Sequence, residues 1–331
     1  MDISCAFPTT LRSPEDIGIA EELGYARAWL YDTPQQSPDV WMSLALAAER
    51  TTRIGLGPGV LVPSLRHPMV NAAATATLEA LAPGRVAVGF GTGFSGRRAM
   101  GYPGLTMRFM SDYVRAFKGL LAGETIEWEG ARMRMLHPDG SAAPRPVDVP
   151  VLFGVHGPRG GEVAAEHGDG LLLSLEPLPA YTTDFTWSAM LAWGTVLDDD
   201  EPTDSAHARA AAGPGWALSY HATYEFGGLD AVRALEGGDV WADVIEATDA
   251  PDRHLRVHDQ HCVTLNDADA RAWESGAHST LRDWTVSGTR AEVRQRVAGL
   301  RDQGITEFVL QPCGDDVRGE LERFKEATDG L

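Results

Sequence analysis

Three glycine-rich corners, one carboxylate and one histidine cluster are the places where this sequence could do chemistry. Gly154-Val155-His156-Gly157-Pro158-Arg159-Gly160-Gly161 joins an apolar run to a helix pattern. A helix N-terminus offers unpaired N–H groups and the positive end of the helix dipole, so this corner fits a phosphate. Arg159 adds charge; the plainer reading is a tight turn with glycines for packing. Gly91-Thr92-Gly93-Phe94-Ser95-Gly96 spells G-x-G-x-x-G. The dinucleotide fingerprint belongs on the first strand-to-helix turn, with an acid closing the next strand. Here the motif follows the fourth apolar run and Asp112 falls inside a helix pattern, so the placement is wrong for it. What remains is a tight turn, or bare N–H groups lining an anion site with Arg97 and Arg98.

Leu56-Gly57-Pro58-Gly59-Val60-Leu61-Val62-Pro63 puts two glycines and a proline inside a strand pattern. A bulge that lets a flat ligand approach the backbone explains them; a kink at a strand end is the alternative. Arg66-His67-Pro68 opens a helix, where His67 can cap or pack. Asp32 closes the second apolar run and can accept a hydrogen bond from a ligand N–H, cap the helix near Asp39, or simply end the strand. His254, His258 and His261 crowd together on an irregular acidic stretch. No carboxylate or cysteine completes a zinc-like pattern there, so no metal site is expected. His258 and His261 are the candidate proton carriers, with substrate-side contacts or plain surface histidines as the plainer reading. There is no G-x-S-x-G elbow and no Walker A sequence.

The chain has 331 residues and a formal net charge of −19. That field repels phosphate, which argues against nucleic acid and anionic membranes as partners. An anionic ligand must then be gripped by local groups. Cys5, Cys262 and Cys313 are odd in number and far apart, which fits a reducing, cytoplasmic compartment. No long apolar run or basic leader is present, so neither a membrane span nor a signal peptide is expected.

Strand and helix patterns alternate along the first half. Strands are expected at 2–7, 26–31, 53–61 and 85–90, with helices at 13–23, 39–50 and 69–82. Ser13 reads as an N-cap followed by Pro14. A helix follows at 107–122, then a hairpin at 125–136 around Glu129-Gly130. Strands at 150–154, 170–175, 189–197 and 305–311 complete eight, with helices at 159–167, 290–304 and 316–327. The stretch 198–288 is hard to read, with helical pieces near 205–212, 229–236 and 267–275. Repeated βαβ units without a linker predict one α/β domain over 1–331, a closed (β/α)8 TIM barrel. Insertions are expected at about 123–148 and, on the substrate side, at about 198–288.

The segments ARAWLYDTP, RIGLGPGVLVPSLRHPMVNAAATATLEALAPGRVAVGFGTG, VPVLFGVHGPRGGEVAAEHGDGLLLS and GITEFVLQPCGDD together resemble the luciferase-like superfamily of flavin and deazaflavin oxidoreductases. The branch of coenzyme F420 enzymes similar to methylenetetrahydromethanopterin reductase is the nearest. The resemblance implies a (β/α)8 barrel of the bacterial luciferase type, often a homodimer, acting on a small-molecule substrate. It implies a non-prolyl cis peptide at Gly59-Val60 that backs the ring system. It places Asp32 near the deazaflavin ring, and Val155, His156, Gly157 and Pro158 at the cofactor phosphate. Sugar-phosphate and alcohol-oxidising relatives carry a His and a Glu where this chain has Thr33 and Phe94. The expectation is therefore an F420-dependent oxidoreductase passing a hydride to an organic substrate. An FMN-dependent monooxygenase and a non-catalytic cofactor-binding protein are the alternatives.

Overall fold

Eight short apolar runs become eight parallel strands, nearly all of them buried on both faces, as expected when helices cover one side and a filled interior the other. The computed structural model of the chain describes residues 1–174 and 176–331, and of residue 179 the backbone only. The strands are β1 (Asp2–Phe7), β2 (Arg27–Leu30), β3 (Gly55–Pro58), β4 (Val88–Gly91), β7 (Val151–Gly154), β8 (Gly170–Ser174), β9 (Ser188–Trp193) and β10 (Glu307–Gln311). The hairpin strands β5 (Ile126–Trp128) and β6 (Ala131–Met133) pair antiparallel outside the main sheet, as the alternation around Glu129-Gly130 predicts. The order around the sheet is β3-β2-β1-β10-β9-β8-β7-β4. Isolated parallel bridges Leu56↔Val86 and Leu61↔Phe90 bring β3 back against β4 and close the ring.

Ala6, Trp29, Ala87, Leu152, Leu172, Ala189 and Val309 meet in one cluster inside the ring. A larger cluster, with Phe90, Phe117, Phe153, Phe308 and Phe324, fills the space between strands and helices. The interior is thus packed, and chemistry is left to the loops at the strands' C-terminal ends.

Three expectations are corrected. The third strand is shorter than 53–61, because the chain leaves the ladder after Pro58. Ser13 is the first helical residue and not the cap; helix Ser13–Glu22 has no side-chain cap at Arg12. The piece near 205–212 is only the start of a helix over 206–227, and the piece near 229–236 follows as a second helix across a kink at Gly228. Proline is a helix breaker by type, but the helix continues through Pro214 where 213–221 are buried, and the chain breaks instead at Gly228. Of the strand expected at 170–175, residue 175 lies outside the described residues.

The regular elements of the 198–288 stretch are helices, and they have their own core of Trp216, Tyr220, Trp241, Ile245 and Trp273. Among the described residues, no helix is long and apolar enough to cross a membrane.

Candidate active site

The seam between β3 and β4 shapes the mouth of the barrel. Ala87 N–H donates to Leu56 C=O (3.1 Å), and the next seam bond runs from Leu61 N–H to Gly89 C=O (2.7 Å). Residues 57–60 therefore face Val88 alone, and the chain must bow out. Gly57 is needed in that bow: a Cβ there would sit 2.1 Å from the Ala87 carbonyl oxygen. The Gly59-Val60 peptide is cis, as the resemblance implies. Gly59 N–H donates to Leu30 C=O (2.8 Å), which ties the bow to β2.

The bow delivers the half-buried Val60 onto a floor of glycines. A Cβ on Gly91 would meet Val60 Cγ2 at 2.4 Å. Cβ atoms on Gly89 and Gly154 would each meet Val60 Cγ1 at 3.1 Å. The glycines of β4 and β7 thus make room for Val60, and the mouth there is lined by backbone and one aliphatic side chain. That surface suits the face of a flat ring.

Three residues past Gly154, the helix Pro158–His167 begins with Gly157 as its N-cap. Gly157 has φ +78 and a side chain would find open space but a strained backbone. Among the described residues no side chain caps this helix, and Pro158 has no N–H, so the amides of Arg159 and Gly160 are the first donors without a partner there. His156, Pro158 and Arg159 are exposed, while Val155 is buried beneath Gly160. A phosphate fits this cradle: an uncapped helix start, no Cβ at the corner and one adjacent guanidinium.

Asp32 is 2 % exposed at the end of β2. Arg66 Nη1 lies 2.7 and 2.6 Å from its two oxygens, and Arg66 Nη2 lies 2.7 Å from Asp39 Oδ2. Burial pushes the Asp32 carboxyl up, against the Arg66 guanidinium and the Val62 N–H, which pull it down. Burial also works against the Arg66 charge, but Asp32 and Asp39 outweigh it and raise its pKa. Asp39 in turn caps helix Val40–Arg50 through Trp41 N–H and Met42 N–H. The sequence readings of Asp32 missed Arg66 as its partner. His67 caps its helix, accepting from Met69 N–H at 3.1 Å.

The two arginines differ. Arg98 pairs with Glu225 at 2.6 Å and lies over the rings of Phe94 and Phe226, so its charge is already balanced. Arg97 donates to Ser64 Oγ (2.6 Å) and to Pro103 C=O (2.7 Å) and has no carboxylate partner among the described residues.

His258 ends a short helix, Arg253–His258, where an irregular stretch was expected. His258 and His261 come together with ring centroids 5.1 Å apart, and both are buried. Neither is a plain surface histidine. His258 Nε2 meets Glu225 Oε1 at 2.9 Å, and His261 Nε2 meets Ser95 Oγ at 2.7 Å. Burial lowers the pKa of both rings. His221 and Asp269, not singled out in the sequence, stand behind His261. Among the described residues no group of three or more His, Cys, Asp or Glu is arranged to hold a metal ion.

Comparison with known proteins places the chain in a family. The luciferase-like monooxygenase family matches residues 17–185. An F420-dependent glucose-6-phosphate dehydrogenase of Kineococcus radiotolerans is 29% identical over 321 residues, covering 92% of this chain and 88% of the relative. A 5,10-methylenetetrahydromethanopterin reductase of Methanolobus tindarius is 30% identical over 311 residues, covering 89% of each chain. Among solved structures, the coenzyme F420-dependent tetrahydromethanopterin reductase of Methanopyrus kandleri superposes with a TM-score of 0.69 at 19% identity, covering 99% of this chain and 98% of that one. The last shares the fold, and the first two carry the likeness through nearly the whole sequence. The chain belongs to the luciferase-like monooxygenase family.

Proposed function

We propose that the chain is an F420-dependent oxidoreductase whose site passes a hydride to an unsaturated or imine-like organic substrate. The observation that carries this reading is the glycine floor under Val60, three residues from an uncapped helix start. It offers a face for a planar ring and a grip for its phosphate in one continuous stretch. The relatives named for F420 support the cofactor.

When bound, the deazaflavin supplies the carbon that carries the hydride. The chain's own work is binding, placing and drying. Arg159 and Gly160 N–H groups and the Arg159 guanidinium would hold the phosphate against the unfavourable net charge of −19. Val60 and the bare backbone of Gly91 and Gly154 would back the ring. Asp32 and Arg66 fix the turn at Val62, and so the bow that positions Val60. Thr33 bonds Ser37 at 2.6 Å, and Phe94 stacks on Phe226. Neither is the acid or base that alcohol oxidation needs, which favours reduction of the organic partner over oxidation of an alcohol.

Titration with F420 and with FMN, followed by absorbance of the deazaflavin band with a panel of enones, imines and sugar phosphates, tests this. The reading expects F420 to bind at least about tenfold more tightly than FMN. It expects reduced F420 to be oxidised by an enone or imine. Binding of FMN alone, or F420 binding with no turnover of any acceptor class, contradicts it.

A further inference from the structure

We propose that Ser95, His261, His221 and Asp269 form a proton wire that ends at the barrel mouth, with Ser95 as the group that hands a proton to the reduced substrate. This rests on the hydride-transfer reading above and names the proton donor for that same site.

The geometry is continuous. Ser95 Oγ is 2.7 Å from His261 Nε2. His261 Nδ1 is 2.7 Å from His221 Nδ1, and His221 Nε2 is 3.1 Å from Asp269 Oδ1. Asp269 is fully buried, and His221 and His261 are 1 % and 5 % exposed. Ser95 is half-exposed, on the short helix Phe94–Arg98 that β4 enters through Gly91-Thr92-Gly93. The wire therefore runs from the Val60 end of the barrel into the core of the 198–288 insertion, where Asp269 also accepts from Trp241 Nε1 (2.7 Å) and Asn266 N–H (3.1 Å).

Hydrogen-bond inventory fixes its direction. A carboxylate only accepts, so His221 Nε2 carries a hydrogen. With His221 neutral, its Nδ1 is an acceptor, so His261 Nδ1 carries a hydrogen. The neutral His261 then accepts at Nε2, and Ser95 O–H donates to it. One added proton reverses the outer bonds. Placed on the His221 and Asp269 side of the wire, it makes His221 Nδ1–H the donor to His261 Nδ1, and His261 Nε2–H the donor to Ser95 Oγ. The Ser95 hydrogen is released from the wire and free to turn toward the mouth. Burial, then the charges of His221 and His258, hold the His261 pKa well below the ordinary value, which keeps the added proton off that ring.

The balance closes on one proton. A hydride added to one carbon of a C=C or C=N bond leaves an electron pair on the other atom. The Ser95 O–H bond breaks and its proton takes up that pair. His261 Nε2–H passes to Ser95 Oγ, and His221 Nδ1–H passes to His261 Nδ1. The wire is left neutral in its rings, and a solvent proton recharges it through the half-exposed Ser95 once product has left.

The groups facing it are few. His258 lies with its ring centroid 5.1 Å from His261 and 6.2 Å from His221. Glu225 bonds His258 and is paired with Arg98. His254 acts on His258 from the same short helix. Trp241 packs on His221.

Nitrogen-15 histidine NMR of the cofactor-free protein, across pH, reads the wire without turnover. The expected result is hydrogen on Nδ1 of His261 and on Nε2 of His221 at high pH, with one shared protonation of the two rings as pH falls. The second arm is the pH profile of reduced-F420 oxidation with the acceptor turned over in the panel above. Ser95→Ala should lower kcat about a hundredfold with little change in KM and remove the alkaline limb, the fall in rate as the wire loses its added proton. Ser95→Thr, which keeps a hydroxyl, should restore both. Hydrogen on Nε2 of His261 at high pH, or a Ser95→Ala enzyme with unchanged rate and limb, overturns the wire while leaving the function reading intact. Failure to bind F420 overturns the function reading, and the tautomers still decide the wire.

Discussion

Arg66 Nη1 lies 2.6 Å from Asp32 Oδ2 while its Nη2 reaches Asp39, so one guanidinium ties the end of β2 to the cap of the next helix from the far side of the β3 bow. The Arg66 carbonyl is held as well, accepting from the Tyr113 hydroxyl at 2.8 Å. The mouth is thus braced from outside by charge. Arg66→Ala would leave the buried Asp32 carboxylate without its counter-charge, a loss of about 3–5 kcal/mol for a broken buried pair. Asp32→Asn removes the charge together with the need for it and should cost clearly less. Urea denaturation of the two variants checks the order; equal losses would mean that the guanidinium serves only as packing.

The glycine floor makes a prediction about shape. Gly91→Ala puts a methyl group 2.4 Å from Val60 Cγ2 and must push Val60 out of its seat. Overpacking of this kind costs about 1–3 kcal/mol. F420 affinity should fall further than stability does, because the displaced group is the proposed ring support. Gly57→Ala meets backbone instead of a side chain, at 2.1 Å, and should destabilise more. Thermal melts and F420 titration of both variants separate the two effects.

The phosphate corner should behave as an anion site in a repelling field. Arg159→Ala is expected to weaken F420 binding about tenfold and to flatten its salt dependence, with no change in stability, since Arg159 is exposed. Inorganic phosphate should compete. An Arg159→Ala protein with unaltered F420 affinity would move the phosphate to another site.

Acid stability should report on Glu225. His258 and Arg98 hydrogen-bond and face its carboxylate, and they outweigh burial to hold its pKa below the ordinary value. A depressed carboxylate stabilises fully above its unfolded value of about 4.3 and loses that contribution as pH falls through the folded one. Unfolding free energy should therefore drop more steeply below that pH in the native protein than in Glu225→Gln. Parallel curves from chemical denaturation would show that the pair adds nothing.

Much of the barrel was legible because each strand is a short apolar run punctuated by Gly, Pro or a cap. Period alone found the hairpin, and the strand-turn-helix at Gly154–Arg159 was readable as a corner. The contents of the mouth were not. Val60's seat depends on glycines from two other strands, at Gly91 and Gly154, whose need for hydrogen at Cα shows only when the strands meet. Arg66 sits 34 residues from Asp32, and His221 sits 40 from His261, so no spacing rule joins them. Pro214 hid the length of the helix that starts at Ala206, since a buried proline was carried through, while Gly228 does break the chain. His258 and His261 were found by crowding, but their partners came from distant segments.

The complex itself is the most direct test: a crystal structure of the protein soaked with F420. The account predicts the deazaflavin ring lying against Val60 and the backbone of Gly91 and Gly154, with its phosphate within hydrogen-bond distance of the Arg159 and Gly160 amides. A ring bound away from Val60, or a phosphate held elsewhere while the Gly157 corner stays solvent-filled, would contradict it.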